Sequence, residues 1–79
     1  MRIDKFLKNS RIIKRRSVAK TACEQGRVYI NSKQVKPGSI VEVGDIIEVE
    51  FGTNKMKVEV LKVGDNIPKN KAEEMYKVL

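Results

Sequence analysis

The chain has no histidine and no tryptophan, a single cysteine among its 79 residues, and no acidic residue between positions 11 and 20. Histidine is the usual general base near neutral pH and a common zinc ligand, and one cysteine cannot form an internal disulfide. A glycine-rich phosphate loop with its lysine and a serine beside a credible base are also missing. We therefore expect a protein that is not an enzyme and that uses no metal or cofactor.

Long hydrophobic runs are missing as well. Charged residues interrupt the apolar stretches, so the sequence has neither the roughly 18 apolar residues of a membrane span nor the core of a signal peptide. With 41% hydrophobic residues the chain is still too apolar for a disordered tail. These features predict one small folded domain in the cytoplasm, with Cys23 as a small core residue.

Positive charge is concentrated at the beginning of the chain. Residues 1–36 hold eleven Lys or Arg and two acids, whereas residues 37–79 hold six Lys and eight acids. All five arginines lie in the first part, and the guanidinium fork suits phosphate groups. This segregation favours a nucleic acid as the partner, although a charge run can also be no more than a solvated face.

Two short helices are predicted in the first third of the chain, at residues 4–10 and at about residues 16–25. Hydrophobic residues recur at helical spacing in both, and Gly26 follows the second helix as a left-handed stop. The residues expected to face inward are Ile3, Phe6, Leu7 and Ser10 in the first helix and Val18, Ala19, Ala22 and Cys23 in the second.

The second helix begins with a cluster of basic residues. Lys14, Arg15 and Arg16 lie at the positive end of its dipole, where cations are mildly unfavourable and anions bind readily. This arrangement suits a protein that holds a phosphate better than one that holds none. Asp4 is expected to cap the first helix or to orient Arg2 or Arg16, because a carboxylate that faced phosphate would be repelled.

The hydrophobic period changes from helix to strand after the second helix. Asn31 and Ser32 predict a tight turn between one pair of strands, and Gly44 and Asp45 predict a turn between the next pair. The strands are predicted at residues 27–31, 33–36, 41–43, 46–51 and about 56–63.

The last part of the chain is predicted to hold a soft linker at residues 63–71 and a final helix. Asn70 and Glu73 are spaced as in a capping box. The apolar face of this helix would consist of Ala72, Met75, Tyr76 and Leu79. The order of two helices, several strands and a terminal helix predicts a small α+β domain.

The spacing of the motifs over residues 2–49 resembles the S-four-type RNA-binding domain, which is named after a small-subunit ribosomal protein. The matching residues are Arg2-Ile3-Asp4, Leu7, Arg16, Ala19, Gly26-Arg27-Val28, Ile30-Asn31, Val35, Pro37, Gly44-Asp45, Ile47 and Val49. The resemblance implies a fold of two N-terminal helices packed on a small, mostly antiparallel sheet, with a short C-terminal helix. Residues 1–62 would form the RNA-binding domain, and residues 63–79 would form a linker and the C-terminal helix of the same domain.

The resemblance also implies a basic helical surface that binds structured RNA. Its residues would be Arg2 and Lys5 from the first helix, Arg11 and Lys14 from the joining loop, and Arg15, Arg16 and Lys20 from the second helix. Two departures from the family pattern concern the backbone and the cap: Ser32 stands where many members have Gly, and Arg15 replaces a frequent capping Ser. Near position 10, where Gly is common in the family, this chain has Asn9 and Ser10.

Within this family, the stand-alone form and the run IKRR look like the bacterial ribosome-associated quality-control members and their heat-shock relatives of fifteen kilodaltons. That likeness implies a monomer that binds rRNA and tRNA on a large ribosomal subunit carrying peptidyl-tRNA. It further implies that the protein works with the tail-adding factor RqcH while alanine is added to a stalled chain. A general rRNA- or tRNA-binding factor and a ribosome-recycling heat-shock-type factor stay open as alternatives.

Three other partner classes are weaker on the residues alone. Single-strand stacking needs exposed rings, and the chain has only four aromatic residues, of which Phe6 is expected to face inward. A membrane-surface role needs a wider apolar helix face than the first helix offers once that face is used for the core. A pure protein adaptor would use the acidic strands and the terminal helix instead of the basic residues.

Overall fold

The computed structural model describes residues 1–65 and 67–79. Helix α1 spans Ile3–Asn9, and helix α2 spans Arg16–Glu24. Five strands follow, with a 3₁₀ helix at Lys69–Met75 between the last two. The strands are β1 (Val28–Ile30), β2 (Lys33–Gln34), β3 (Ile46–Phe51), β4 (Asn54–Val60) and β5 (Tyr76–Val78). The predicted α+β class, with two N-terminal helices and an antiparallel sheet, is confirmed.

The five strands form one antiparallel sheet in the order β2-β1-β3-β4-β5. The longest ladder joins β3 to β4, from the pair Ile46 and Glu59 to the pair Phe51 and Asn54. Alternate residues of these strands are buried, as the period of two requires. The helices pack on the buried face, so the core is a single cluster of apolar side chains between helices and sheet.

The inward faces of the helices agree with their sequence pattern, with one exception. All four residues predicted to face inward in α1 are buried. In α2, Ala19, Ala22 and Cys23 are buried, but Val18 is 48% exposed, so its predicted inward position is wrong. Positions 19, 22 and 23 already form the i, i+3, i+4 stripe of a short helix, and Val18 lies beside that stripe.

The β1–β2 turn forms where the Asn31-Ser32 motif predicts it. Both residues have positive φ, 51° for Asn31 and 68° for Ser32, as a two-residue turn that follows the strand twist requires. The Asn31 side chain also accepts a hydrogen bond from the Ile46 N–H at 2.9 Å and donates one to Asp45 at 3.1 Å. These bonds fix the turn against the start of β3.

The predicted strand at residues 41–43 is wrong. Instead, the segment around Ile40 pairs with the N-terminus, through an isolated bridge between Arg2 and Ile40. The Ile3 N–H donates to the Ser39 carbonyl, and the Val41 N–H donates to the Met1 carbonyl, each at 2.8 Å. A short extended segment can pair either with a strand of the sheet or with another extended segment. Here its hydrogen bonds are formed with the N-terminal residues.

The predicted C-terminal helix is present but shorter than its apolar pattern suggests, and it is a 3₁₀ helix. It starts after Pro68 and has no side-chain cap, so the predicted capping box is wrong. It ends at Met75, and the chain continues as β5 beside β4. The predicted linker at 63–71 overlaps the start of this helix at Lys69, and position 66 of that linker lies outside the described residues.

Within the described ranges, none of the helices has both the length and the apolar character that crossing a membrane would need.

Candidate nucleic-acid interface

The N-termini of α1 and α2 meet at one carboxylate. Asp4, in the first turn of α1, is 2% exposed. Its Oδ1 accepts hydrogen bonds from the Lys5 N–H at 2.8 Å and from Arg2 Nε at 3.2 Å. Its Oδ2 accepts one from Arg2 Nη2 at 3.1 Å and lies 3.6 Å from Arg16 Nε. We call Arg2, Asp4 and Arg16 the Asp4 cluster.

A buried carboxylate is costly unless charged partners and hydrogen bonds compensate it, and both are present here. Arg2 contacts Asp4 with two nitrogens, the paired geometry in which arginine binds a carboxylate well. Asp4 supplies one negative charge for two guanidinium groups, so the cluster keeps a net positive charge. The side chains of Arg2 and Arg16 are 49% and 47% exposed, so both remain open to a further anion.

The backbone of Arg2 is held by a distant part of the chain. Arg2 precedes α1 in an extended conformation, and its bridge to Ile40 fixes it from the other side. Arg16 is fixed differently, as the first residue of α2. Two guanidinium groups are therefore positioned by backbone structure as well as by Asp4, which lowers the entropy that a ligand must remove from them.

The start of α2 carries further positive charge. Arg15 occupies the capping position, its side chain makes no cap hydrogen bond, and the first turn holds no acidic residue. Lys20 lies one turn after Arg16, so the two side chains share a helix face. Arg15, Arg16 and Lys20 are all exposed. Cations at this end of a helix dipole are unfavourable in isolation and become favourable when an anion joins them.

The loop between the helices places Arg11 in an unusual conformation. Arg11 directly follows Ser10, the C-cap residue of α1. Its φ is 63°, in the left-handed region that favours glycine at this position. Ser10 and Ile13 on either side are buried, whereas Arg11 and Lys14 are exposed. A cation therefore occupies the left-handed position that follows the α1 cap.

Lys5 differs from the other candidate residues. Its Nζ lies 2.6 Å from Asp65 Oδ1, and the side chain is 37% exposed. The hydrogen bond and the charge of Lys5 lower the pKa of Asp65. Lys5 is therefore engaged by the segment after β4 rather than left for a ligand. Over residues 1–65 and 67–79, no such ion pair is found for the remaining candidates, Arg11, Lys14, Arg15 and Lys20.

Sequence reasoning missed several residues that border this region. Asn9 donates a hydrogen bond to the Gly64 carbonyl at 3.2 Å, which ties the end of α1 to the segment after β4. Lys69 and Asn70 line a cavity together with Arg11. No local pattern could reveal these neighbours, because each pair combines the first and last thirds of the chain.

Comparison with known proteins identifies the family of the chain. The model of the S4 domain matches residues 1–47, so the chain belongs to the S4 domain family, and the resemblance noted in the sequence is confirmed. It is 47% identical over 79 residues to the RQC P-site tRNA stabilizing factor of Bacillus subtilis, which covers all of this chain and 92% of that protein. A protein of the same name from Halalkalibacterium halodurans is 45% identical over 78 residues, which cover 99% of this chain and 89% of that one.

Among solved structures, the trimeric Heat Shock Protein 15 of Vibrio cholerae superposes with a TM-score of 0.90 at 30% identity. The match covers 100% of this chain and 81% of that one. The two-helix and sheet arrangement is thus shared with Heat Shock Protein 15.

Proposed function

We propose that this protein is a non-catalytic RNA-binding factor that binds the large ribosomal subunit and stabilises tRNA in the P site during ribosome-associated quality control. The observation that carries the proposal is the Asp4 cluster, which holds two arginines at the meeting point of the helices with about half of each side chain exposed. The whole-length similarity to proteins named for P-site tRNA stabilization supports the choice of RNA.

The RNA-binding surface in this proposal consists of the Asp4 cluster and the cations next to it. Arg16 and Arg2 contact phosphates first, and the exposed side chains of Arg15 and Lys20 extend the surface along α2. Arg11 and Lys14 flank it from the loop. Lys5 joins this surface when RNA draws it away from Asp65.

A fixed array of cations recognises folded RNA by the positions of its phosphates. The backbone supports of Arg2 and Arg16 suit such shape recognition, since neither side chain has to be ordered from a flexible segment. If about six phosphates are contacted, the affinity falls roughly a thousandfold between about 50 and 200 mM salt.

The finer part of the proposal concerns the cellular pathway. The protein acts as a monomer in the cytoplasm, on large subunits that carry rRNA, tRNA and a stalled chain. It supports the addition of alanine to the C-terminus of that chain together with the tail-adding factor RqcH. Residues 1–62 form the RNA-binding unit, and residues 63–79 complete the same domain.

The test is sedimentation of tagged protein with large ribosomal subunits, followed by detection of peptidyl-tRNA in the pellet. We expect both to co-sediment with the wild type. The double variant Arg15→Ala, Arg16→Ala should no longer co-sediment with the subunits. It should also reduce the slope of log affinity against log salt concentration by about one for each phosphate that the variant no longer neutralises.

The matched control is Lys55→Ala, Lys57→Ala. It removes the same charge from β4, where both lysines pair with glutamates of β3. Sedimentation of the control should match the wild type. If the arginine variant still pelleted with the subunits, the proposed surface would be wrong and a protein contact would have to carry the association.

A second candidate is a heat-shock-type factor that binds ribosomal RNA without a requirement for a stalled chain. The similarity of the fold to Heat Shock Protein 15 favours it. The two candidates differ in one measurement. A quality-control factor binds subunits with peptidyl-tRNA more tightly than empty subunits, whereas a general factor binds both equally.

A further inference from the structure

A cavity of about 400 Å³ lies between the α1–α2 loop and the 3₁₀ helix. This volume is within the range of small-ligand sites in proteins. The cavity opens to solvent, and its wall includes Arg11, Lys69, Asn70, Glu73 and Tyr76. Arg11 belongs to the proposed RNA-binding surface, so the cavity borders that surface directly.

The lining of the cavity includes one aromatic residue, Tyr76. Tyr76 is partly buried and packs against the core, and β5 holds its backbone opposite Val60. Ala72 beside it is buried. A fixed aromatic ring next to a small side chain offers a flat apolar contact for a ligand ring. Stacking of this kind holds an unpaired nucleobase whatever its identity.

The rim of the cavity is polar and of mixed charge. Arg11 and Lys69 are exposed cations, which suit phosphate groups. Asn70 offers both donors and an acceptor, and Glu73 offers acceptors only. A free phosphate ion would meet repulsion from Glu73. A nucleotide places its phosphate at the cations and the donor groups of its base at Glu73 and Asn70, so it satisfies both parts of the rim.

The backbone of Arg11 gives an independent indication that this position serves a ligand. A φ of 63° is strained for a residue other than glycine, asparagine or aspartate. Strained residues of this kind are concentrated at functional sites. Glycine would fit the turn without strain, but it would leave the rim of the cavity without its cation.

We propose that this cavity receives one unpaired nucleotide of the RNA whose phosphates contact the helices. The inference rests on the proposed function, because it takes the RNA to lie on the adjacent basic surface. Stems and loops of structured RNA expose bulged nucleotides, which proteins recognise by stacking and by hydrogen bonds to the base edge. The nucleotide base would lie against Tyr76, with its phosphate at Arg11 and Lys69.

The test uses two short RNA hairpins that differ only in one unpaired 2-aminopurine bulge, in low-salt buffer with the full chain. The wild type should bind the bulged hairpin about tenfold more tightly than the closed one, and the fluorescence of the 2-aminopurine should be quenched on binding. Tyr76→Leu should remove the preference and the quenching while the dissociation constant for the closed hairpin stays unchanged. Tyr76→Phe keeps the ring and should retain both.

Glu73→Gln and Glu74→Gln form a matched pair on neighbouring residues. Glu73 lines the cavity, whereas Glu74 pairs with Lys62 and Lys71. Only Glu73→Gln should alter the preference for the bulge. Equal binding of both hairpins by the wild type, without quenching, would overturn the nucleotide site and leave the RNA-binding function standing. Failure to bind either hairpin would overturn both.

Discussion

Arg16, the first residue of α2, contacts Asp4 in the first turn of α1, with 3.6 Å between Arg16 Nε and Asp4 Oδ2. This contact joins the beginnings of two helices that are separated in sequence by the joining loop. A carboxylate in this place strengthens a cationic surface, because it fixes the direction of guanidinium groups that would otherwise repel each other.

Asp4→Asn tests this role by changing charge without changing shape. The variant raises the net charge by one, so a surface governed by total charge would bind RNA more tightly. We expect weaker binding instead, because Arg2 and Arg16 lose their shared anchor. Loss of hydrogen bonds to a charged partner should also lower the free energy of unfolding by about 1.5–3 kcal/mol.

The measurements are RNA affinity at fixed salt and urea denaturation. Glu74→Gln is the control, since it makes the same charge change at an exposed residue of the 3₁₀ helix, where Glu74 pairs with Lys62 and Lys71. Tighter RNA binding by Asp4→Asn than by Glu74→Gln would show that Asp4 does not orient the arginines.

Arg11→Gly should separate stability from binding. Glycine adopts a φ of 63° without strain, so the free energy of unfolding should rise by about 1 kcal/mol despite the greater freedom of glycine in the unfolded chain. RNA affinity should fall, and the slope of log affinity against log salt concentration should be lower by about one. Arg11→Ala removes the same charge but keeps the strain. It should weaken RNA binding equally and give no gain in stability, and a gain equal to that of glycine would contradict the strain argument.

Asp65→Asn should strengthen RNA binding by releasing Lys5. The Lys5 ammonium lowers the pKa of Asp65, so the pair persists at neutral pH and is lost only as the pH falls through that lowered pKa. We expect the substitution to improve RNA affinity by a few fold at pH 7. In a Lys5→Ala background the same substitution should give only the small gain expected from net charge. An equal gain in both backgrounds would mean that Lys5 does not reach the RNA.

Cys23 should be inert in the folded protein. Burial, and then the charges of Asp4 and Glu24, raise the pKa of its thiol from 9.0 to about 11. At pH 8 about one thousandth of the thiol is then ionised, and the thiolate is the reactive form. Reaction with Ellman's reagent should be slow in buffer and rapid in urea.

The same shift gives a pH dependence with a defined sign. Between about pH 9 and 11 the unfolded thiol has lost its proton while the folded one keeps it, so the Cys23 contribution to stability declines as the pH rises. Cys23→Ala should remove this part of the decline. Rapid labelling of the native protein at pH 8 would show that the thiol is not buried as the structure has it.

Local patterns predicted the elements that depend on neighbouring residues. The inward face of α1, the stripe at Ala19, Ala22 and Cys23, and the turn at Asn31 and Ser32 all follow from spacing and turn chemistry. Each of them joins residues a few positions apart. The S4 family and its fold class were also readable in the sequence, because its motif positions are spread over more than half of the chain.

The errors arose where a distant partner decided between two acceptable conformations. The last apolar residues have the spacing of a helix face, but β4 offers an open edge, and the pairs Val58 with Val78 and Val60 with Tyr76 make the end a strand. Residues 41–43 have the pattern of a strand of the sheet. Instead, Ile40 just before them forms a bridge with Arg2.

The sequence by itself determined that the positive charge belongs to the first part of the chain, since composition and order are fixed before folding. Only the tertiary structure decided that Arg16 shares Asp4 with Arg2 and that Lys5 pairs with Asp65, because the contacts of Arg16 and Lys5 join segments that no local period relates. Helical spacing can place a residue on a face. The packing of α1 against α2, and of the N-terminus against Ile40, sets where that face points.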